Sequence, residues 1–192
     1  TGHPIIPLFI FDPAILDSKR ISPARLEFML NAVQSLRDEF RTVGGDLLIQ
    51  HGNPADILSD IVTKTGATTL FYGIDYTPYA KKRDEAITQS LGITIHPSHD
   101  HLLVPPHAIA TGDGKPYTVF TPFKNKWRTL EKLNSVDISL SPDRFFNTSH
   151  LPQAEFPPMP KHSVQIPVAT SSEGQNRLTE FMRHAIYHYA EN

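Results

Sequence analysis

Residues 68–85 read TTLFYGIDYTPYAKKRDE. The first seven are mostly apolar, aromatic or β-branched, and they predict a strand. Asp75-Tyr76 turns the chain. Thr77-Pro78 then opens a helix, because a threonine hydroxyl at the N-cap accepts a bond from an orphan backbone N–H. Proline one position later gives up nothing, since its missing N–H would be unpaired there. The same device recurs at Ser22-Pro23, Asn53-Pro54 and Thr121-Pro122, each where an apolar helical pattern begins. Three of the four pairs follow short runs that read as strands. Strand, capped turn and helix alternate, which predicts an α/β fold with a parallel sheet. It also predicts where function sits: the strand-to-helix turns at the carboxyl ends of the strands.

Ile5 to Phe11 (IIPLFIF) reads as a strand covered on both faces and ends at Asp12-Pro13. Ser22 caps a helix to about Val43. Its stripe is Leu26, Met29, Leu30, Val33, Leu36, Phe40 and Val43. Asp46 to His51 is a second strand, followed by a helix that Gly66 ends. After the helix that starts at Pro78 comes a short fourth strand, Ile93 to His96. Residues 99–120 form an excursion with a Gly112-Asp113-Gly114 turn, and a helix is expected from Pro122 to about Leu133. Residues 134–170 lose periodicity and collect prolines, as an inter-domain linker does. Ser172-Glu173-Gly174-Gln175 has the form of a capping box. It opens a last helix with the stripe Leu178, Phe181, Met182, Ala185, Ile186 and Tyr189, expected to start a further, helical domain.

The chain has 192 residues, of which 39% are hydrophobic, and a net charge of −2. That is enough length for a buried core and gives bulk electrostatics no reason to attract nucleic acid or a membrane. Cysteine is absent, which excludes disulfides, thiolate metal sites and a cysteine nucleophile. No run is apolar for long enough to span a membrane. The chain opens on Thr-Gly-His-Pro with no initiator Met, so a preceding segment is expected.

Four groups of residues invite a chemical reading. His96, His99 and His101 have spacing H-x2-H-x-H, but no fourth metal ligand stands near them, and surface or hydrogen-bonding histidines are expected. Gly112-Asp113-Gly114-Lys115 lacks the flanking strand, helix and Ser/Thr of a phosphate loop and reads as a tight turn. Lys81, Lys82 and Arg83, balanced by Asp84 and Glu85, read as a solvated helix face. Asp12 and Asp75 each follow an apolar strand at its carboxyl end. They either make turns or line one crevice where a heterocycle or ribose could be held.

Several blocks, in order, resemble the N-terminal α/β domain of the DNA photolyase family: FIFDPAIL (9–16), ISPARLEFM (21–29), GNPADIL (52–58), DYTPYAKKRD (75–84), DHLLVPPHAI (100–109) and GKPYTVFTPFKNKW (114–127). The nearest resemblance is to the cyclobutane-pyrimidine-dimer photolyases and related cryptochromes. It runs from residue 5 to about 130 and again over 172–191, where RLTEFMRHAIYHYAEN resembles the first helix of the family's flavin domain.

The resemblance implies a Rossmann-like, doubly wound parallel sheet with flanking helices in residues 1–133, a Pro-rich linker at 134–170, and the start of a helical FAD-binding domain at 171–192. It implies a light-dependent deoxyribodipyrimidine photo-lyase, in which excited reduced FAD gives an electron to a pyrimidine dimer in UV-damaged DNA. A cryptochrome-type photoreceptor is the alternative. FAD and DNA would be held by sequence outside this chain, which carries no catalytic residue and no metal site and is expected to be inactive alone. The family's first strand, central in its sheet, precedes the block at 9–16, so this chain is expected to be poorly stable alone. In the family this domain carries an antenna pigment. Folate-type members place Asn-Glu where this chain has Tyr79-Ala80, and the DYTPYAKKRD form is more similar to deazaflavin-type or flavin-type members, or to members with an empty site. Phe11, Asp12, Asp75, Tyr79 and Ala80 fall where the antenna contacts lie. A monomeric parent in the cytoplasm, with no membrane partner, completes the expectation.

Overall fold

In the computed structural model, which describes residues 3–18, 21–132 and 140–188, the apolar run at 5–11 becomes a strand only in its second half. Strand β1 is Leu8–Phe11. It is followed by a single turn of helix, α1 (Pro13–Leu16), and the long α2 (Pro23–Thr42). Then come β2 (Leu48–His51), α3 (Pro54–Thr65), β3 (Thr69–Gly73), α4 (Pro78–Ser90) and β4 (Thr94–Ser98). Helices α5 (Phe120–Thr129) and α6 (Ser171–Arg183) complete the order. The class is α/β with parallel strands and flanking helices, as the capped turns predict. The strands form two pairs. β1 lies parallel to β2, with Leu8 opposite Leu48 and Phe11 opposite His51. β3 lies parallel to β4, with Thr69 opposite Thr94 and Gly73 opposite Ser98. The chain divides into two compact units, residues 1–57 with 139–192, and residues 58–138.

In the first unit α2 packs on the β1–β2 pair. Leu30 and Val33 from α2 meet Phe11, Leu47 and Ile49 in one buried cluster. Ser22 Oγ accepts from the Arg25 N–H at the start of α2, as its sequence predicts. At the other end, Arg37 grips both oxygens of Asp46 at 2.8 and 3.0 Å, and Arg41 Nε adds a third bond at 3.1 Å. This ties the end of α2 to the entry of β2. The forked guanidinium holds the Asp46 carboxyl below the usual carboxylate range, with Arg41 and the Leu47 N–H acting in the same direction against partial burial.

The proline-rich segment is part of this unit's packing. Its described residues, 140–170, form no helix beyond a 3₁₀ turn at Pro142–Arg144, yet they are held closely. The Gln153 side-chain oxygen accepts from the Ile49 N–H at 2.7 Å, and the Ala154 N–H donates to the Ile49 carbonyl at 2.9 Å. Phe156 meets Phe11 edge to face at 5.4 Å. Ile5 bridges Phe145, and Gly45 lies so close to the Phe145 ring that a Cβ there would stand 2.6 Å from it. Farther on, His162 Nδ1 accepts from the Val164 N–H, and Nε2 lies 2.8 Å from Glu27 on α2, off the line of a good hydrogen bond.

In the second unit α4 lays Ala80 and Ile87 into the interior, and Leu58, Ile61, Leu91 and Val104 are buried as well. Thr77 Oγ1 caps α4 by accepting from the Ala80 N–H at 3.2 Å. Pro97 sits in β4 without an N–H to donate, as a strand paired on one side permits.

Several boundaries differ from expectation, most clearly those of the last two helices. α5 starts at Phe120 rather than Pro122, and its N-cap, Val119, makes no side-chain cap bond. Pro122 is therefore the third helical residue, still inside the turn whose N–H groups have no helical partner. α6 is capped by Thr170, whose Oγ1 accepts from the Glu173 N–H at 3.2 Å. The hydroxyl three residues ahead of an acid is thus the pair 170–173, not 172–175. α6 also ends at Arg183, with a 3₁₀ turn at Ala185–His188 beyond it. Leu133 and Tyr189, the expected ends of the last two helices, lie outside the described residues.

Replacing Asp46 by Asn is expected to destabilise the protein by about 1 kcal/mol at neutral pH, allowing for screening at a partly exposed site. Because the folded-state carboxyl is held below its ordinary value of 3.8, that contribution is present above this pH and disappears as the pH falls further. Denaturant titrations of the two proteins at pH 7 and pH 3 should show the gap closing in acid. Thr77→Ala should lose a further, independent ~1 kcal/mol by removing a cap, and Thr77→Ser should recover most of it in thermal melts.

Candidate functional site

The turn between β3 and α4 gathers most of the chemistry. Asp75 follows β3 and bends the chain by accepting from the Thr77 N–H at 2.9 Å. That bond, with help from the Thr77 side chain and the charge of Arg83, holds its carboxyl below the usual range against slight desolvation. Asp75 is therefore a carboxylate at neutral pH, half-buried at the mouth of the turn. Tyr79, in the first turn of α4, is 40% exposed, whereas Ala80 beside it is buried. Arg83 is paired with Asp84 at 2.7 Å, so the basic run of α4 leaves only Lys81 and Lys82 as the exposed cations expected of it.

Tyr76, expected only to turn the chain, and His99, expected to be a surface or hydrogen-bonding histidine, belong to the same rim. The Tyr76 hydroxyl and His99 Nδ1 are 2.5 Å apart. With the phenol donating, the ring proton of His99 must sit on Nε2. The two ring planes differ by 3° and their centroids are 6.0 Å apart. That separation is close to the length of a tyrosine ring plus its hydrogen bond, so the rings lie edge to edge in one plane. His107 stands against His99 at 5.5 Å, tilted by 49°. The signal in the sequence is positional. Ile74 N–H donates to Ser98 O at 2.8 Å, extending the ladder one step, so residues just past β3 and just past β4 become neighbours.

The other candidates lie in the first unit. Phe11 is 1% exposed and is wedged between Phe9 and Phe156, so it supports its neighbours and offers almost no surface. Asp12 is 7% exposed. One of its oxygens accepts from the Ala14 N–H at 2.9 Å and starts α1. Asp12 and Asp75 thus both make Asx-type turns, each in its own unit, and Asp75 is the more open of the two.

The three histidines of the 96–101 stretch point to different partners. His96 stacks on Phe71, His99 bonds Tyr76, and His101 lies 3.6 Å from Asp100. Among the described residues no group of three or more His, Asp or Glu is placed to hold a metal ion. At 111–115 the Thr111 N–H donates to Lys115 O and the Gly114 N–H to Thr111 O, with Gly114 at φ 79°. That is the tight turn expected there. No helix of the described residues is long and apolar enough to cross a membrane.

Comparison with known proteins places these features. The pattern described as DNA photolyase matches residues 1–141. An uncharacterised 31.6 kDa protein from the atpI 5′ region of Synechococcus sp. (strain PCC 6716) is 32% identical, over 97% of this chain and 68% of that protein. The deoxyribodipyrimidine photo-lyase of Halobacterium salinarum is 35% identical, over 68% of this chain and 28% of the enzyme. The archaeal photolyase of Sulfolobus tokodaii, solved with two FAD molecules and discussed as implying a novel light-harvesting cofactor, superposes with a TM-score of 0.60. It is 27% identical and the match covers 68% of this chain and 30% of that one. The Synechocystis cryptochrome shares the fold over 99% of this chain and 43% of its own, with a TM-score of 0.73 at 20% identity. The chain therefore spans less than a third of the photolyases it matches. With the family pattern running through both strand pairs and the turns after them, the chain belongs to the DNA photolyase family.

Proposed function

We propose that the protein is a light-dependent deoxyribodipyrimidine photo-lyase and that this chain holds its antenna pigment, a deazaflavin or flavin. The name of the Halobacterium relative, deoxyribodipyrimidine photo-lyase, supports the enzyme reading. The two FAD molecules of the Sulfolobus photolyase support a flavin-type pigment. The observation that carries the antenna reading is the turn after β3, where a charged carboxylate, an exposed tyrosine and a small buried alanine stand together at a carboxyl-end rim.

The residues fit a flat heterocycle with N–H and hydroxyl edges. Asp75 keeps its charge, so it can accept a hydrogen bond from a ring N–H or a ribityl hydroxyl. Tyr79 offers an aromatic surface beside it, and the buried Ala80 seats the first turn of α4 on its own unit. Phe11 and Asp12 are the first unit's candidates. Asp12 already serves its own helix, and Phe11 fixes the end of β1. When bound, the pigment supplies absorption of near-ultraviolet or blue light. Repair by electron transfer from excited reduced FAD, and the grip on UV-damaged DNA, fall to sequence beyond this chain.

The test is repair of thymine-dimer-containing DNA by the full-length protein. Dimers should disappear under blue light and persist in the dark. A light-driven spectral change without repair would instead favour the cryptochrome-type reading. In Asp75→Ala the antenna band is expected to weaken with about tenfold poorer pigment binding, as for loss of one charge-assisted bond. Repair driven by light that FAD absorbs directly should persist. Unchanged pigment content in Asp75→Ala would remove this turn from the antenna site.

A further inference from the structure

Tyr76 and His99 come from two different strand exits, yet their rings share one plane to within 3° and are joined by a 2.5 Å hydrogen bond. We propose that this pair is a flat wall against which the tricyclic ring of a flavin-type pigment stacks, an inference that rests on the pigment-binding reading of the same turn.

A single exposed tyrosine is a poor platform for a three-ring system, being shorter than the ligand and free to turn about its side-chain bonds. The second ring removes the first defect: His99, edge to edge with Tyr76, extends the planar surface from one ring to two. Partial burial removes the second, because it restricts rotation of each ring whether or not the hydroxyl is present. Both residues are half-buried, so neither is lost in the core nor loose in solvent. Asp75, next to Tyr76 in sequence, supplies a charged acceptor for the edge of a ring held there. His107 stands against His99 at 5.5 Å, tilted by 49°. Aromatic faces bind planar heterocycles through dispersion and desolvation, with little regard for the ring's substituents. Recognition of the substituents falls to polar groups such as Asp75.

A plainer role exists for the pair: the bond could simply lock the β3–α4 turn to the exit of β4. The two roles differ in what they need from Tyr76. A lock needs the hydroxyl, whereas a wall needs the ring.

The test titrates the full-length protein with riboflavin 5′-phosphate and follows the quenching of its fluorescence, with circular dichroism confirming that each variant folds. Stacking predicts strong quenching in the native protein. It predicts about tenfold weaker binding with the quenching lost in Tyr76→Ala, and binding within about threefold of native in Tyr76→Phe. Should Tyr76→Ala fail to fold, His99→Ala removes the other half of the wall and is judged by the same loss of quenching. Equal weakening in Tyr76→Phe and Tyr76→Ala would assign the pair to the lock and overturn the wall. Native-like binding and quenching in both alanine variants would overturn the wall and leave the pigment reading standing. Failure of the native protein to bind this flavin would overturn the wall, whereas the pigment reading falls only if the antenna band is also absent from the full-length protein.

Discussion

Parallel strands of four residues make short ladders, and a short ladder leaves an edge that something must satisfy. In the first unit that edge is the outer side of β2. The Ile49 N–H and carbonyl face away from β1 and would be unpaired in a buried position, which costs about as much as a lost hydrogen bond. Gln153 and Ala154 take both groups, one through a side-chain amide and one through the backbone. The segment that follows lays Phe156 on Phe11. The proline-rich stretch is thereby fixed to the strand pair, and the end of β1, where Asp12 sits, is built on that packing.

The second constraint is the sharp exit from each strand. A strand that runs into a helix within a few residues must satisfy the helix's first N–H groups locally. Thr77 does this with a hydroxyl, and Asp12 does it with a carboxylate oxygen. Asp75 stands two residues ahead of the N-cap of α4 and accepts from the Thr77 N–H. This difference matters for function. Asp12 is drawn into its own short helix and is nearly covered, while Asp75 leaves the capping to Thr77 and remains at the surface of the turn. Two carboxylates at matching sequence positions have unequal access because only one has a threonine between it and the helix.

The strand-turn-helix alternation was legible because it depends on local physics. Hydroxyl or amide caps, Pro in the first helical turn and Gly after the helix each act within a few residues. Ser22, Thr77 and Gly66 accordingly behave as their sequence predicts. Where the reading went astray, two local signals competed. Thr121-Pro122 has the form of a cap and first residue, yet proline is tolerated anywhere in a first turn, so the helix could begin at Phe120. Thr170 and Ser172 both precede an acid or amide by three residues, and the first of them won. The fixing of residues 151–156 on β2 and Phe11 was not legible at all. It depends on pairs a hundred residues apart, and proline content reports only that no regular helix forms there.

The site was half legible for a similar reason. Asp75 could be found by asking which polar residue follows an apolar strand. The pairing of Tyr76 with His99 could not, because an aromatic and a histidine 23 positions apart carry no joint signal. Parallel pairing supplies the missing step. In an antiparallel pair the exit of one strand lies beside the entry of the next. In a parallel pair both exits lie on the same rim, and register fixes which residues meet there. Once Gly73 stands opposite Ser98, the chain just past β3 runs beside the chain just past β4, and Tyr76 can reach His99. The rim of a parallel sheet therefore assembles its site from residues that follow successive strands, and register has to be known before they can be named.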